Sequence, residues 1–227
     1  MGKISFKGVE AVLFDFEGTL VDFQWNLKGA VQKTLERLNT LGFPVDRLEG
    51  KKYSVLKNQA MAMALEIGQS PEQVKEEIDS IYDRFDADAL LRWSLRPHAK
   101  EFLSSLKTSG IKTGLVSNVG KKALKEGIKK LGLSSLFHVL VSRNEVRQLK
   151  PNGEGIRLAL NHLCIPGEKA LFVGDSIDDI QAAKEAGLRV IIILGGENPK
   201  PDLLSGGPDV LIQDYGELIA CLKEERR

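Results

Sequence analysis

The sequence has few of the features that stabilise secreted proteins or anchor proteins in membranes. It contains only two cysteines in 227 residues, and Cys164 and Cys221 lack the spacing of a disulfide framework or a metal knuckle. The longest late apolar run, Val190 to Leu194, is far too short to cross a bilayer, and the N-terminus lacks the apolar core of a signal peptide. We therefore expect a soluble protein of the reducing cytoplasm.

The chain also lacks an excess of charge of either sign. Its 32 Lys and Arg residues nearly cancel its 31 Asp and Glu residues, which leaves a net charge of +1. A chain with so little net charge has no overall electrostatic field that would steer it to nucleic acid or to an anionic membrane, so we expect neither as a partner. We predict that any anionic ligand is held by groups of a local site. With 42% hydrophobic residues, the chain can bury the core of one large domain or of one domain with an insertion.

The most informative stretch is A-V-L-F-D-F-E-G-T-L-V-D, which begins at Ala11. Its first four residues form the unbroken apolar run expected of a parallel strand that is buried on both faces. Asp15 and Glu17 follow, and because residues two apart share a face of extended backbone, their carboxyl groups would converge at the carboxyl end of the strand. The two acids could instead be solvated turn residues. Converging carboxylates indicate a bound cation, for which Mg²⁺ is the best candidate.

The rest of the chain divides into a helical part and an alternating part. Residues 22–94 show helical periodicity, so we predict a helical insertion whose third helix begins at Ser70, with Pro71 in its first turn and Gln73 completing a capping box. The first two helices carry the apolar stripes Leu27, Val31, Leu35, Leu38 and Leu56, Ala60, Met63, Ile67. Residues 1–21 and 95–227 would then form the core.

From Pro97 onward, short apolar strands alternate with helices, which predicts βαβ units and a parallel sheet. The strands after the first are predicted at 111–116, 139–141, 170–173, 190–194 and 209–212. Helices are predicted at 97–109, 121–131, 154–163, 178–186 and at the end of the chain. We interpret Gly195-Gly196 and Gly206-Gly207 as turns, and we expect Cys164, at the end of an apolar helix, to be a buried thiol.

Polar residues follow several of these strands. Ser117 and Asn118 come directly after one, and their hydroxyl and backbone N–H groups could hold a phosphoryl oxygen. Lys150 precedes Pro151 at the start of a helix, and the stretch G-D-S-I-D-D places Asp175, Ser176, Asp178 and Asp179 after another strand. Each feature alone also has a structural explanation. Ser117 can be a helix cap, Lys150 a solvated lysine, and Ser176 with Asp179 a capping box.

Taken together, D-F-E-G-T, hydrophobic-Ser-Asn, Lys-Pro and G-D-S-I-D-D, in this order, resemble the four motifs of the haloacid dehalogenase superfamily. The layout is similar to phosphoglycolate-phosphatase-like hydrolases. The resemblance covers residues 10–22 and 95–215, whereas the insertion resembles the family's cap domain only in its position and helical content. It implies an α/β fold in which a Rossmann-like parallel sheet core carries an inserted helical cap.

The resemblance also implies a role for each site residue. Asp15 would be the nucleophile and Glu17 the general acid and base. The phosphoryl group would be held by Ser117, Asn118 and Lys150. Mg²⁺ would be held by Asp15, the carbonyl of Glu17 and Asp175, with Asp179 orienting these ligands, Asp178 a weaker candidate and Thr19 bracing the turn.

The resemblance therefore implies a Mg²⁺-dependent phosphatase that hydrolyses a small phosphorylated metabolite through an aspartyl phosphate. Glu17 departs from the family pattern, because most family phosphatases carry Asp there, although enolase-phosphatases also have Asp-x-Glu-Gly-Thr. Dehalogenases proper lack an acid at this position and need no metal, so Glu17 and Asp175 are evidence against dehalogenation. Two alternatives stay open at this point: a phosphotransferase or sugar-phosphate mutase on the same core, and a catalytically weak module that binds phosphate or a protein.

Overall fold

The computed structural model describes residues 4–48 and 52–225, and its centre is a parallel sheet of six strands in the order β3-β2-β1-β4-β5-β6. The strands are β1 (Ala11–Phe14), β2 (Lys112–Val116), β3 (Val139–Val141), β4 (Ala170–Gly174), β5 (Arg189–Ile193) and β6 (Val210–Ile212). Helices surround the sheet, so the predicted α/β fold class with a Rossmann-like core is confirmed. Each predicted strand is present with ends shifted by at most one residue.

The central strand β1 owes its place to its unbroken apolar sequence. All four of its side chains are buried, because β2 and β4 flank it and helices cover both faces of the sheet. Phe14 at its end pairs with Leu115 of β2 and with Val173 of β4. The carboxyl ends of these three neighbouring strands are therefore level, and the residues that follow them lie at one edge of the sheet.

The helices agree with the predictions except in a few places. They are α1 (Leu27–Thr40), α2 (Tyr53–Met63), α3 (Pro71–Leu90), α4 (Ala99–Thr108), α5 (Lys121–Lys130), α6 (Glu154–Leu163), α7 (Ile177–Glu185), α8 (Lys200–Gly206) and α9 (Tyr215–Glu224). The predicted second helix is shorter than its stripe, because a 3₁₀ turn replaces α-helix at Ala64–Ile67. The third has Ser70 as its N-cap, as predicted, and the Ser70 side chain accepts from the backbone N–H of Gln73, which is one of the two bonds of the predicted capping box.

Two expectations were wrong. The segment that contains Gly206 is not simply a turn, since Gly206 ends α8, and only Gly207, at φ +67°, leaves the helix in the left-handed conformation. The proline in the first turn of α8 is compatible with the helix, because the first turn of a helix accommodates proline. Cys164 is exposed rather than buried, because it is the left-handed residue that caps α6 and lies beyond its apolar face.

Helices α1 to α3 all lie between β1 and β2 in the chain, within the segment 22–94 that we call the insertion. The two connections to the insertion run side by side: Val21 and Leu95 form an antiparallel bridge, and the backbone N–H of Asp22 donates to the carbonyl of Ser94 at 3.0 Å. The boundaries at 21/22 and 94/95 stay a prediction. In residues 4–48 and 52–225, no helix is long and apolar enough to cross a membrane.

A buried arginine of the core joins the insertion to the sheet. Arg143, just after β3, is 1% exposed and forms ion pairs with three acids of α3: Asp86 at 2.7 Å, Asp79 at 3.2 Å and Asp83. The spacing of these acids places them on one face of the helix. The guanidinium carbon also lies 5.7 Å from the ring centre of Tyr82. Removing the arginine would leave Asp86 buried without an ion-pair partner among the described residues, whereas Asp79 would keep its pairs with Lys57 and Lys75.

We expect Arg143→Leu to lower the free energy of unfolding by about 3 to 5 kcal/mol, since breaking a buried ion pair leaves an uncompensated charge. Urea denaturation would measure the change. The matched control is Arg157→Leu, because Arg157 pairs with Glu185 at 3.2 Å on the surface, where both side chains are nearly half exposed. That variant should change stability by less than about 1 kcal/mol. Equal effects of the two substitutions would contradict the assignment.

Candidate active site

The side chains predicted to act together meet at the carboxyl edge of the sheet. Asp15 follows β1, Ser117 follows β2 and Asp175 follows β4, and all three are at least nine-tenths buried. The backbone N–H of Asp15 donates to the carbonyl of Val173 at 2.9 Å, which fixes the residue where the strand ends. The sheet order thus brings together residues that lie up to 160 positions apart in the sequence.

Lys150 reaches this edge from the segment between β3 and α6. Its ammonium lies 2.6 Å from Asp15 Oδ1 and 2.7 Å from Asp179 Oδ1, and its side chain is 6% exposed. Burial alone would lower the pKa of Lys150, but the two carboxylates raise it above its ordinary value. Lys150 is therefore not the solvated lysine of the structural alternative, but a buried cation directly beside Asp15.

Asp175 is held by hydrogen bonds and by close backbone. Its Oδ1 accepts from the Thr19 hydroxyl at 2.7 Å, and its Oδ2 accepts from the backbone N–H of Glu197 at 2.6 Å. A Cβ at Gly18, where φ is +81°, or at Gly196 would clash with its carboxylate. The bond from Thr19 agrees with the predicted bracing of the turn, and only glycine fits at these two positions.

Asp179 has its oxygens occupied by the protein. Oδ2 accepts from the backbone N–H groups of Asp175 and Ser176, both at 3.0 Å, and Oδ1 pairs with Lys150. The Ser176 hydroxyl and Asp179 form the capping box at the start of α7 that the structural alternative predicted. Asp179 can therefore be both a helix-capping residue and a residue of the site, because its carboxylate fixes both the loop of Asp175 and the ammonium of Lys150.

The buried acids fit a hard cation. Asp15, Asp175 and Asp179 each offer a carboxylate oxygen, and these atoms lie within 4.8 Å of one another. Burial raises the pKa of Asp15 to about 6, although Lys150 opposes the shift. Burial, and then the charges of Asp179 and Asp15, raise the pKa of Asp175 well above its ordinary value. Lys150 pairs with Asp15 and Asp179 but not with Asp175, so a divalent cation with oxygen ligands would offset the negative charge that remains.

Two other acids lie outside that group of three. The carboxyl of Glu17 is not in it, so a metal contact by this residue stays a prediction that concerns its carbonyl oxygen. Asp178 accepts from the Ser54 hydroxyl at 2.6 Å and pairs with Lys52 at 3.2 Å, both residues of the insertion. Asp178 therefore joins the loop after β4 to the insertion.

Glu17 is held in a buried position beside Asp15. Its Oε1 accepts from the backbone N–H of Gln24 at 2.8 Å and from the indole N–H of Trp93 at 3.0 Å. Burial raises the pKa of Glu17 to about 7, and the two hydrogen bonds oppose that shift. A carboxyl group with this pKa can both give and take a proton near neutral pH.

Asn118 and Ser117 differ in how their side chains are used. The Asn118 amide accepts from the backbone N–H of Lys150 at 3.1 Å and donates to the Lys150 carbonyl at 3.3 Å. The Asn118 side chain thus fixes the backbone of Lys150. Phosphate binding by Asn118 stays a prediction, and it concerns the backbone N–H group of Asn118. The Ser117 hydroxyl accepts from the backbone N–H of Val119 at 3.3 Å and lines the same cavity as Asp15.

The cavity above Asp15 is small. Its volume is about 30 Å³, which holds one or two water molecules. Phe23, Trp25 and Tyr53 of the insertion form part of its wall. The Trp25 indole N–H is buried, and it has no hydrogen-bond partner among the described residues. The insertion therefore covers the site with aromatic rings.

Sequence reasoning missed several residues of this site. Glu197 directly follows the predicted Gly195-Gly196 turn, yet its backbone N–H donates to Asp175 and its side chain lies 3.6 Å from Lys52. Its place just after β5 was a usable signal, because that strand ends at the same sheet edge. Trp93 and Tyr53 gave no comparable signal, since isolated aromatic residues in a helical region ordinarily indicate packing.

The sequence and the fold of this chain are similar to those of known proteins. The family model described as Haloacid dehalogenase-like hydrolase matches residues 12–193. A protein of Nitrosococcus oceani named phosphoglycolate phosphatase is 29% identical over 225 residues, covering 96% of this chain and 98% of its own. One of the same name from Salmonella choleraesuis is 28% identical over 236 residues, covering 95% and 93%. A solved structure from Thermotoga maritima, provisionally named a beta-phosphoglucomutase, has 26% identity and a TM-score of 0.63, covering 95% and 99%.

Proposed function

Because this chain belongs to the haloacid dehalogenase-like hydrolase family and is a phosphoric monoester hydrolase, we propose that it is a Mg²⁺-dependent phosphatase of a small phosphorylated metabolite. The first substrate to try is phosphoglycolate, which the names of its relatives suggest, or a similarly compact ester. One observation carries the proposal. Asp15 lies at the end of the central strand, 2.6 Å from a buried lysine and within a group of three acids that suits a cation.

In the proposed reaction, an oxygen of Asp15 attacks phosphorus, and the bond from phosphorus to the leaving oxygen breaks. The product of this step is an aspartyl phosphate. Glu17 gives its proton to the leaving oxygen, and then takes a proton from the water that attacks the phosphorus of the intermediate. The second step releases inorganic phosphate and restores Asp15. Lys150 offsets the repulsion between the anionic nucleophile and the anionic phosphate, and Ser117 and the backbone of Asn118 hold phosphoryl oxygens.

We assign the metal to Asp15, Asp175 and the backbone carbonyl of Glu17, with Asp179 orienting the loop. When bound, Mg²⁺ would supply positive charge next to the transferred phosphoryl group. The ligand chemistry of three buried carboxylates supports a hard cation of this kind.

We also propose that the insertion is a cap that moves. A cavity of about 30 Å³ cannot admit a phosphate ester, so the substrate enters only when the insertion lifts from the core. The contacts that lifting would break include the pair between Lys52 and Asp178 and the two hydrogen bonds between the Asn58 amide and the backbone of Leu149, at 2.8 and 3.0 Å. Closure over the substrate would exclude bulk water while Asp15 reacts.

The experiment is an assay of phosphate release from a panel of phosphate esters, with Mg²⁺ and with a chelator. We expect turnover of compact esters that requires Mg²⁺. Chromatography of the products separates hydrolysis from transfer, because a phosphotransferase or mutase would yield a new ester rather than inorganic phosphate. A catalytically weak binding module would turn over none of the esters, which would contradict the proposal.

Magnesium affinity should depend on Asp175 more than on Asp179. We expect Asp179→Asn to weaken Mg²⁺ binding by about 10 to 100 fold, as outer groups that orient a ligand do, and Asp175→Asn to weaken it further. Isothermal titration calorimetry would measure both. Asp178→Asn is the matched control, because this acid of the same loop contacts Lys52 and Ser54 of the insertion instead. A greater loss for Asp179→Asn than for Asp175→Asn would reverse the assignment of the metal ligand.

A further inference from the structure

One oxygen of Glu17 is held by two groups that can only donate. Oε1 accepts from the backbone N–H of Gln24 at 2.8 Å and from Nε1–H of Trp93 at 3.0 Å. Neither a backbone amide nor an indole has a lone pair that could accept a proton in return. Oε1 is therefore an acceptor whether or not Glu17 is protonated. The proton that Glu17 exchanges must then sit on its other oxygen, Oε2.

The two donors stand on the two connections between the core and the insertion. Gln24 belongs to the connection that leaves β1, and Trp93 belongs to the connection that returns from α3. The connections are bonded to each other, since Arg92 Nη2 donates to the carbonyl of Gln24 at 3.1 Å. Glu17 Oε1 thus lies in a fixed position between two segments that are themselves joined.

The Trp93 ring is fixed by the core. It is 4% exposed, and its centre lies 4.9 Å from that of Phe16, with the two rings perpendicular. On α5, a Cβ at Gly127 would stand 3.0 Å from two ring carbons, so the helix packs closely against the indole. A ring held in this way can orient a flexible partner. Glu17 is such a partner, because a glutamate side chain has several rotatable bonds and loses much freedom when it is ordered.

We propose that Trp93 is a positioning residue, which holds Oε1 of Glu17 so that Oε2 faces the leaving oxygen of the substrate. The inference rests on the proposed function, in which Glu17 is the acid and base. Trp93 touches no reacting atom in this proposal. It acts only through Glu17, and its contribution is limited to the steps in which Glu17 moves a proton.

The variant Trp93→Phe keeps an aromatic ring against Phe16 and removes the donor. On an alkyl phosphate, we expect kcat to fall by about 10-fold, because a misplaced general acid supplies only part of its rate acceleration. KM should change by less than about twofold. On nitrophenyl phosphate, the single-turnover release of nitrophenolate should be unchanged, because that leaving group departs without a proton. Rapid-quench and stopped-flow kinetics would measure both rates.

A double-mutant cycle separates positioning from packing. In a Glu17→Gln background no proton is left to position, so adding Trp93→Phe should cost nothing more on the alkyl phosphate. A further loss in that background, or equal losses on both leaving groups in the single variant, would mean that Trp93 serves only to pack the core. Unchanged kcat on the alkyl phosphate would also overturn the proposal.

A measurement that leaves Trp93 in place covers the case in which Trp93→Phe does not fold. The chain has two tryptophans, and the indole N–H of Trp25 has no partner among the described residues. In ¹⁵N-labelled protein, Glu17→Gln should therefore shift the indole resonance of Trp93 and leave that of Trp25 nearly unmoved. No shift at Trp93 would contradict the contact. This result does not depend on activity, whereas a wild type that hydrolyses no ester would refute the proposed function itself.

Discussion

The Asp15→Asn variant should fold like the wild type and lose turnover by about 10⁴-fold or more, the scale of loss when a nucleophile is removed. An amide has nearly the shape of the carboxylate, and its oxygen can still accept from Lys150, which lies 2.6 Å from Oδ1 in the native protein. It cannot form an aspartyl phosphate, however. Phosphate release would measure the loss, and acid-quenched reactions with labelled substrate should leave phosphate on the wild type and none on the variant.

The control for this prediction is an acid at the other end of β1. Glu10 precedes β1 and pairs with Lys169 at 2.6 Å, with both side chains about half exposed. Glu10→Gln removes the same charge from the sequence and should leave turnover and the unfolding midpoint almost unchanged. If Asp15→Asn retained near-wild-type activity, or if the phosphate label stayed on the variant, another group would be the nucleophile.

The framework of the site could be predicted because it depends on local sequence. The apolar run before Asp15 specifies a buried strand, and the run before Asp175 specifies another. Parallel strands align their carboxyl ends, so polar residues that follow such runs meet at one sheet edge whatever their separation in the chain. Lys150 does not follow a strand directly, so this logic does not place it beside Asp15, and their distance of 2.6 Å needed the structure.

The contacts between the insertion and the core could not be predicted in this way. Trp93 is 76 positions from Glu17, and Arg143 is 57 positions from Asp86, and no periodic pattern links the partners. Which face of α3 meets the end of β3 depends on how the helices pack as rigid bodies. Local patterns specify the apolar face of a helix. They do not specify which polar residue at the edge of that face pairs with a buried charged side chain of another element.

The structure gives each of three acids in one motif its own set of contacts. Asp175, Asp178 and Asp179 are neighbours in one motif, yet each has a different set of partners. Asp178 joins the insertion through Ser54 and Lys52, whereas Asp179 fixes the loop backbone and Lys150. Asp175 precedes the helix that begins at Ile177, and within the helix the successive side chains of Asp178 and Asp179 point in different directions, so the three acids have different contacts.

Glu17→Gln tests the acid and base itself. The substitution keeps the length and shape of the side chain, and its amide oxygen can still accept from Gln24 and Trp93 as Oε1 does. It removes the proton that Glu17 exchanges. On an unactivated alkyl phosphate, turnover should therefore fall by about 10² to 10⁴ fold, the usual worth of a positioned acid and base. Glu17→Asp, which keeps a proton on a shorter chain, should retain measurable turnover.

An activated leaving group separates the two steps in which Glu17 takes part. Nitrophenolate leaves without a proton, so Glu17→Gln should form the aspartyl phosphate readily from nitrophenyl phosphate. The same variant should hydrolyse that intermediate slowly, because no base takes the proton of the attacking water. Rapid-quench kinetics should then give a burst of nitrophenolate followed by a slow steady state, whereas a defect in folding or in metal binding would reduce the burst as well. If Glu17→Gln turned over the alkyl phosphate like the wild type, Glu17 would be a structural residue of the turn, and the proton would come from another group.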